Sequence, residues 1–165
     1  MRKILRLLRR HKDNLRISDE LIIEHYREGK LVGKRHLKGN IITSVGKAAV
    51  AARIGGIAEA EFTRLAVGTG GTGELIGNTT LEAEITTGGL QRAVATVTRV
   101  TTTVADDTLQ LLHTWTATAA HAVREAGVFN LAAAGDMLAR KTFAVINVAN
   151  TDELKLTYKF PITAA

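Results

Sequence analysis

Four glycines at positions 68, 70, 71 and 73 give the chain one motif with the spacing of a phosphate-binding loop. Gly68-x-Gly70-x-x-Gly73 matches the dinucleotide-binding fingerprint, in which glycines let the backbone approach a pyrophosphate. That fingerprint also requires a helix directly after the glycines and an acidic residue about 20 residues further on. Here the glycines lead into a polar stretch with another glycine at position 77, and the lysine of a Walker motif is absent. We therefore predict no nucleotide site, and interpret Gly68, Gly70, Gly71 and Gly73 as a mobile contact loop that is free to adopt positive φ at several positions.

The acidic, basic and nucleophilic side chains show no catalytic spacing. The five histidines include no pair with the H-x-x-x-H spacing of a zinc site, and the chain contains no cysteine. Neither serine lies in the G-x-S-x-G elbow of a hydrolase, and the pair Asp106-Asp107 suits a turn. We predict a protein that is not an enzyme and that has no cofactor and no metal.

The elements that must position these residues begin with a hairpin and a helix. Two runs of β character flank Glu28-Gly29, which predicts a β-hairpin over residues 20–38. Apolar residues then recur at helical spacing up to Gly55-Gly56, which predicts a helix over residues 42–54 with Thr43 or Ser44 as its cap.

From residue 63 onward the pattern is one of successive strands joined by short turns. The last strand is the clearest, because Leu154, Leu156, Tyr158 and Phe160 alternate with polar residues. The sequence therefore predicts a mainly β protein, an antiparallel β-sandwich or jelly-roll-like barrel with one short helix, in a single domain over residues 20–165. The predicted strands cover residues 63–68, 90–104, 108–119, 123–132, 137–148 and 153–163.

The positive charge is concentrated near the N-terminus. Residues 1–40 contain 12 Lys and Arg against 5 Asp and Glu, whereas residues 41–165 contain 10 against 11. Residues 1–16 suit an amphipathic helix, and we predict a basic arm over residues 1–19 that docks on a partner. No apolar run approaches the roughly 18 residues that a membrane span needs. The arm residues assigned to partner binding are Arg2, Lys3, Arg6, Arg9 and Arg10.

A few large side chains are predicted to anchor the body. Glu125 lies among apolar positions, so it either points to solvent at a strand end or is buried with Arg124, Arg140 or a backbone amide as its partner. The predicted core or interface anchors are Trp115, Phe129, Phe143, Tyr158 and Phe160.

Six segments follow one another along the body of the chain, namely "GKLVGKRHLKGNIITSVGKAAVAARIGG" (29–56), "LAVGTGGTGELIGNTTLEAEI" (65–85), "GGLQRAVATVTRVTTTVADDTLQLLHTWTATA" (88–119), "REAGVFN" (124–130), "MLARKTFAVINV" (137–148) and "DELKLTYKFPIT" (152–163). Their order over residues 20–163 resembles a class of small virion structural proteins of tailed bacteriophages. The resemblance implies a capsid decoration, head fibre, neck or tail component, and the basic arm lies outside it.

From this we predict a non-enzymatic virion protein that forms a homo-oligomer, a trimer or a higher ring, on the particle and contacts other virion proteins. Capsid decoration is the first expectation, and a tail, neck or fibre component, including a receptor- or carbohydrate-binding tip, is the alternative. A further alternative is a protein that contacts packaged DNA through the basic arm. The expected location is the virion, assembled in the host cytoplasm.

Overall fold

The computed structural model describes residues 15–164, which form eleven β-strands and one α-helix. The strands pair antiparallel in two sheets, and one apolar core contains buried residues from both sheets. The chain is therefore mainly β with a β-sandwich architecture, as predicted. The strands are β1 (Leu15–Ile17), β2 (Glu20–Arg27), β3 (Lys30–Lys38), β4 (Ile41–Ile42), β5 (Arg64–Gly68), β6 (Ala93–Val94), β7 (Thr96–Val100), β8 (Thr108–Thr116), β9 (His121–Phe129), β10 (Met137–Val148) and β11 (Glu153–Ala164), and the helix is α1 (Ser44–Ile54).

The first sheet has the strand order β3-β2-β11-β8-β7, and β1 pairs with the C-terminal end of β11. Every second residue of β11 from Leu154 to Phe160 is buried in the core, as the alternation predicts. Strand β1 contains Leu15 and Arg16, which the sequence assigned to a helical arm, so that part of the helix prediction was wrong. Its pairing with β11 supplies the backbone hydrogen bonds that a helix would otherwise supply. The rest of the predicted helix, residues 1–14, lies outside the described residues.

The second sheet has the strand order β4-β10-β9-β5-β6. Strand β5, which lies between β9 and β6, is buried at four consecutive positions, from Leu65 to Gly68. A strand is buried at consecutive positions when both faces of its sheet are covered. The inner face of β5 packs in the main core through Leu65 and Val67, and Ala66 on its outer face belongs to a second, smaller cluster.

The segment predicted as one long strand over residues 90–104 is divided between the two sheets. Strand β6 pairs with β5 in the second sheet, whereas β7 pairs with β8 in the first. Ala95 lies between them, is buried, and donates its backbone N–H to the Thr63 carbonyl at 2.9 Å. The chain therefore changes sheets at Ala95, which alternation alone does not reveal, because both halves keep an extended backbone.

The helix begins two residues later than predicted, because Ile41 and Ile42 pair with β10 as strand β4. Thr43 is the N-cap, and its hydroxyl accepts the Gly46 N–H at 2.9 Å. A β-carbon at Gly46 would lie 2.7 Å from the Leu138 backbone, so the absence of a side chain lets α1 pack directly on β10. Within residues 15–164 no helix is both long and apolar enough to cross a membrane.

Candidate functional site

The glycine motif opens a long connection, residues 69–92, that runs between β5 and β6 and covers the outer face of the second sheet. Residues 83–85 of this connection return beside β5, where the Ala83 carbonyl accepts the Thr69 N–H and the Val67 carbonyl accepts the Ile85 N–H, both at 2.9 Å. The only helix that the structure describes precedes β5, so the motif is not followed by the helix of a phosphate-binding loop.

The carboxylate of Glu125, on β9, lies fully buried beneath this connection. Its Oε1 accepts the N–H groups of Gly70 at 3.1 Å and Ala83 at 2.8 Å. Its Oε2 accepts the Glu82 N–H at 3.1 Å and Nε of Arg140 at 2.9 Å. Of the partners proposed from the sequence, Arg140 and the backbone amides bind the carboxylate, and the solvent-facing alternative was wrong. Three backbone amides and one guanidinium thus satisfy both oxygens of the buried carboxylate.

Two of the four glycines of the motif, Gly68 and Gly70, are required by the closeness of this carboxylate. None of Gly68, Gly70, Gly71 and Gly73 has a positive φ, so the backbone freedom of glycine is not used here for a left-handed conformation. A β-carbon on Gly68 or on Gly70 would lie 2.5 Å from Oε1 of Glu125. Both residues are buried, whereas Gly71 and Gly73 are exposed. The motif therefore lets the backbone approach an anionic group, as in a phosphate loop, but the anion is a side chain of the same protein.

Two alanine substitutions within the motif separate close approach from loop flexibility. Gly70→Ala is expected to lower the free energy of unfolding by about 1–3 kcal/mol, because the new methyl group overlaps Glu125 and Cβ of Glu82. Gly73→Ala is expected to change it by less than about 1 kcal/mol, since a β-carbon at Gly73 meets no atom within 4 Å. Urea unfolding followed by circular dichroism measures both. Equal destabilisation by the two substitutions would contradict this role of Gly70.

Arg140, on β10, joins the connection to the sheet. Besides Glu125, its guanidinium donates to the Thr72 carbonyl and to Oδ1 of Asn78, both at 3.1 Å. Glu82 lies 3.7 Å from the same guanidinium and accepts the side-chain and backbone donors of Thr72 at 2.7 Å. These hydrogen bonds from Thr72 lower the pKa of Glu82.

Glu74 continues this network along β10. Its carboxylate pairs with Nζ of Lys141 at 2.8 Å and accepts the Thr142 hydroxyl. Burial alone would raise the pKa of Glu74, but the hydrogen bonds from Lys141 and Thr142 outweigh burial and lower it to about 2. Glu74 is therefore ionised near neutral pH and serves as a further anchor of the connection.

The far end of the connection is held by Arg92. Its guanidinium pairs with Glu84, with Nε at 2.9 Å, and lies 3.6 Å from the centroid of the Phe129 ring. Phe129 belongs to the small apolar cluster with Ala66, Leu81 and Met137, which is separate from the main core. Cation–π, ionic and apolar contacts thus hold this end of the connection on the outer face of the second sheet.

This arrangement leaves the buried carboxylate with no vacant position for a reacting group. A carboxylate has about four lone-pair sites, and Glu125 accepts four hydrogen bonds. A general base needs a lone pair directed at the proton that it removes. The chemistry that Glu125 supports is therefore the positioning of the connection over the sheet.

A second buried carboxylate, Asp152, was not predicted from the sequence as part of a site. It accepts Nε and Nη2 of Arg27 at 2.9 and 2.8 Å, contacts Nε2 of His25 at 2.7 Å, and accepts the Ala149 N–H at 2.8 Å. The hydrogen bonds from Arg27, with those from Ala149 and His25, hold the pKa of Asp152 far below its usual value. This cluster fastens β2 to the turn before β11. The sequence signal for this cluster was that His25 occupies an inward-facing position of the alternating strand β2.

The remaining residues singled out from the sequence fall in three places. Trp115, Tyr158 and Phe160 are buried in the main core, with Phe143 partly buried against it and Phe129 in the small cluster. Trp115 also donates Nε1 to the Gln91 carbonyl at 2.8 Å, which ties the core to the covering connection. The arm residues Arg2, Lys3, Arg6, Arg9 and Arg10 lie outside the described residues. Within the described residues, no three His, Asp or Glu side chains cluster as metal ligands.

Comparisons of the chain with protein-family models, with curated proteins and with solved structures gave no match.

Proposed function

We propose that the chain is a non-enzymatic structural protein of a tailed-bacteriophage particle, with capsid decoration as its role. The proposal rests on the role of Glu125. This residue is the most buried carboxylate of the candidate site, and all its hydrogen bonds hold residues 69–92 on the sheet. A rigid sandwich with this sealed face suits a protein that works through contacts between subunits. The assignment to a phage particle rests on the resemblance over residues 20–163.

The proposal includes a homo-oligomer, a trimer or a higher ring, in the virion. The two edges of the first sheet differ in charge. Edge strand β3 carries Lys30, Lys34, Arg35 and Lys38, which is how natural sheets discourage pairing with another chain. Edge strand β7 is rich in threonine and valine and has Arg99 as its only charge. The edge that suits pairing with a neighbouring copy is therefore β7.

The basic arm is proposed to dock on acidic surfaces of neighbouring virion proteins. Replacing Arg2, Lys3, Arg6, Arg9 and Arg10 together with glutamine is expected to lower the number of copies per purified particle most strongly at low salt. The difference from the wild type is expected to shrink as salt rises, because salt screens the wild-type contacts between exposed charges. Quantitative mass spectrometry of particles assembled with each protein measures the copy number.

The matched control replaces Lys30, Lys34 and Lys38 on β3 with glutamine, which removes basic charge of the body and keeps the arm. This control is expected to load normally. Equal loading of the arm variant at every salt concentration would contradict the docking role of the arm.

The alternatives give different results in two simple assays. A receptor- or carbohydrate-binding tip would bind glycans or cells through the body alone, without residues 1–14. A DNA-contacting protein would bind duplex DNA with an affinity that falls steeply with salt, and would lose binding when the arm is deleted. Either result, together with absence from the shell, would replace capsid decoration with that alternative.

A further inference from the structure

Four buried polar atoms that have no hydrogen-bond partner among the described residues belong to three neighbouring side chains. They are Oδ2 of Asp19, Oδ1 and Nδ2 of Asn40, and the hydroxyl of Tyr158. The three residues are at most 9% exposed. The Asn40 amide lies close enough to oppose the raised pKa of both Asp19 and Tyr158, but it completes a hydrogen bond with neither. Buried polar atoms are nearly always paired, so this group of unpaired atoms is unusual.

Asp19 links the junction between β1 and β2 to the turn that follows β3. Its Oδ1 accepts the Asn40 N–H at 2.8 Å. The residue before it, Ser18, donates its N–H to the Pro161 carbonyl of β11 at 3.0 Å. The hydrogen bonds of these two adjacent residues therefore attach the end of β1 both to β11 and to the turn after β3.

The basic side chains around Asp19 are engaged by other carboxylates. Lys141 of β10 opposes the raised pKa of Asp19, but its Nζ pairs with Glu74 at 2.8 Å. Nearer the surface, Lys38 lies 3.6 Å from Glu20. Neither lysine forms a hydrogen bond with Oδ2 of Asp19. The remaining titratable groups near the cluster are Arg16, which lines the same cavity as Asp19, and His36 and Lys159, which act on Glu20.

Strand β1 is the element whose movement exposes Asp19 to water most easily. It has three residues and pairs with β11 alone among the described strands, whereas β2 pairs with both β3 and β11. Leu15 and Arg16 are exposed, and Ile17 is half-buried. A short strand with few buried contacts opens at a lower free energy than the whole protein. Detaching β1 therefore breaks fewer contacts than any movement of β2.

We propose that the protonation state of Asp19 controls the attachment of β1, which is closed when the carboxyl is protonated and opens locally when it is ionised. The protonated carboxyl is neutral, and its O–H supplies a donor to a cluster that contains the unpaired acceptor Oδ1 of Asn40. The ionised carboxyl is a buried charge, and detachment of β1 lets water reach it. Opening also uncovers the edge of β11 that pairs with β1, and an uncovered edge can pair with another chain.

The direction of the pH dependence follows from burial, which raises the pKa of Asp19 from 3.8 to about 6 in the closed form. In the open form the carboxyl is hydrated, and its pKa returns towards 3.8. Below about pH 4 the carboxyl is protonated in both forms, so closure is strongest there. Opening becomes more frequent as pH rises to about 6 and is constant above it, and this difference in pKa allows an increase of up to about a hundredfold.

Amide hydrogen exchange of the isolated full chain, followed by NMR between about pH 4 and pH 7, tests this proposal. The reporter is the Ser18 N–H, and each rate is divided by the intrinsic exchange rate at that pH. In the wild type the corrected rate at Ser18 is expected to rise at least about tenfold with pH. In Asp19→Asn, whose side chain does not titrate, it is expected to stay within about twofold. Glu20→Gln is the matched control, because it removes the neighbouring carboxyl and keeps Asp19, and it is expected to retain the rise.

Urea separates local opening of β1 from global unfolding. Low concentrations of urea are expected to leave the Ser18 rate unchanged and to speed exchange at the amides of β9, which lies between β10 and β5. A corrected Ser18 rate that does not change with pH in the wild type would overturn the proposal, as would an equal rise in Asp19→Asn. A Ser18 rate with the urea dependence of the β9 amides would also overturn it. The assay uses no particle, so its outcome is independent of whether the chain is a virion protein.

Discussion

Replacing Glu125 with alanine is expected to lower the free energy of unfolding by about 3–5 kcal/mol, the cost of breaking one partner out of a buried ion pair. The substitution leaves the Arg140 guanidinium buried beside an empty position. It also leaves the N–H groups of Gly70, Glu82 and Ala83 without an acceptor. Urea unfolding measures the loss, and amide hydrogen exchange at these three residues is expected to become faster as the connection loosens.

The control for this prediction is the neighbouring residue. Arg124 is exposed and precedes Glu125 on the same strand, so Arg124→Ala is expected to change the free energy of unfolding by less than about 0.5 kcal/mol. A Glu125→Ala variant that loses less than about 1 kcal/mol, with unchanged exchange in residues 69–92, would contradict the anchoring role.

Replacing Asp19 with asparagine is expected to stabilise the protein at neutral pH. Asp19 lies between β1 and β2 and is buried, and its Oδ1 accepts the Asn40 N–H at 2.8 Å. Its Oδ2 has no hydrogen-bond partner among the described residues. Burial raises the pKa of Asp19 from 3.8 to about 6, against the opposing effects of Asn40 and Lys141. Ionising this carboxyl in the folded protein therefore costs free energy.

The sign of the pH dependence follows from this raised pKa. Between about pH 4 and pH 6 the folded state binds a proton that the unfolded state has lost, so wild-type stability falls as pH rises through this window. Asparagine removes the titration, and Asp19→Asn is expected to exceed the wild type by about 1–3 kcal/mol at pH 7 but not at pH 4. Urea unfolding at several pH values measures the difference.

Asp107 provides a control of opposite sign. The Val104 N–H, followed by those of Thr103 and Thr102, lowers the pKa of Asp107 to about 2 against the effect of burial. Asp107→Asn is therefore expected to destabilise the protein at pH 7, with the loss shrinking as pH falls below about 4. A flat difference between Asp19→Asn and wild type across pH 4–7 would contradict the raised pKa of Asp19.

The sequence predicts best those strands that have one face in the core and the other face exposed. Strand β11 alternates cleanly from Leu154 to Phe160, and the alternation identifies its inner face. Strand β5 is covered on both faces, and its short apolar run does not identify the segments that cover them. The change of sheet at Ala95 is set by which strands lie nearby, a long-range property that a local pattern does not contain.

The candidate site was predictable only in part, because its partners are distant in the sequence. Arg140 is 15 residues from Glu125, and Gly70 is 55 residues from it. Gly68 and Gly70 match a fingerprint in which the backbone approaches an anion, but we interpreted them from the sequence as a mobile contact loop and did not predict their approach to Glu125. The identity of that anion depends on how the connection packs on β9. The contact between Asp19 and its distant partner Asn40 likewise depends on how separate segments pack.

We propose that the chain is a component of the shell of a tailed-phage particle. The most direct measurement is electron microscopy of purified particles in which the protein carries a gold-binding label at its C-terminus. Capsid decoration predicts label at regular, symmetry-related positions on the capsid. Label confined to the tail or neck would contradict capsid decoration, and particles without label would contradict the virion assignment altogether.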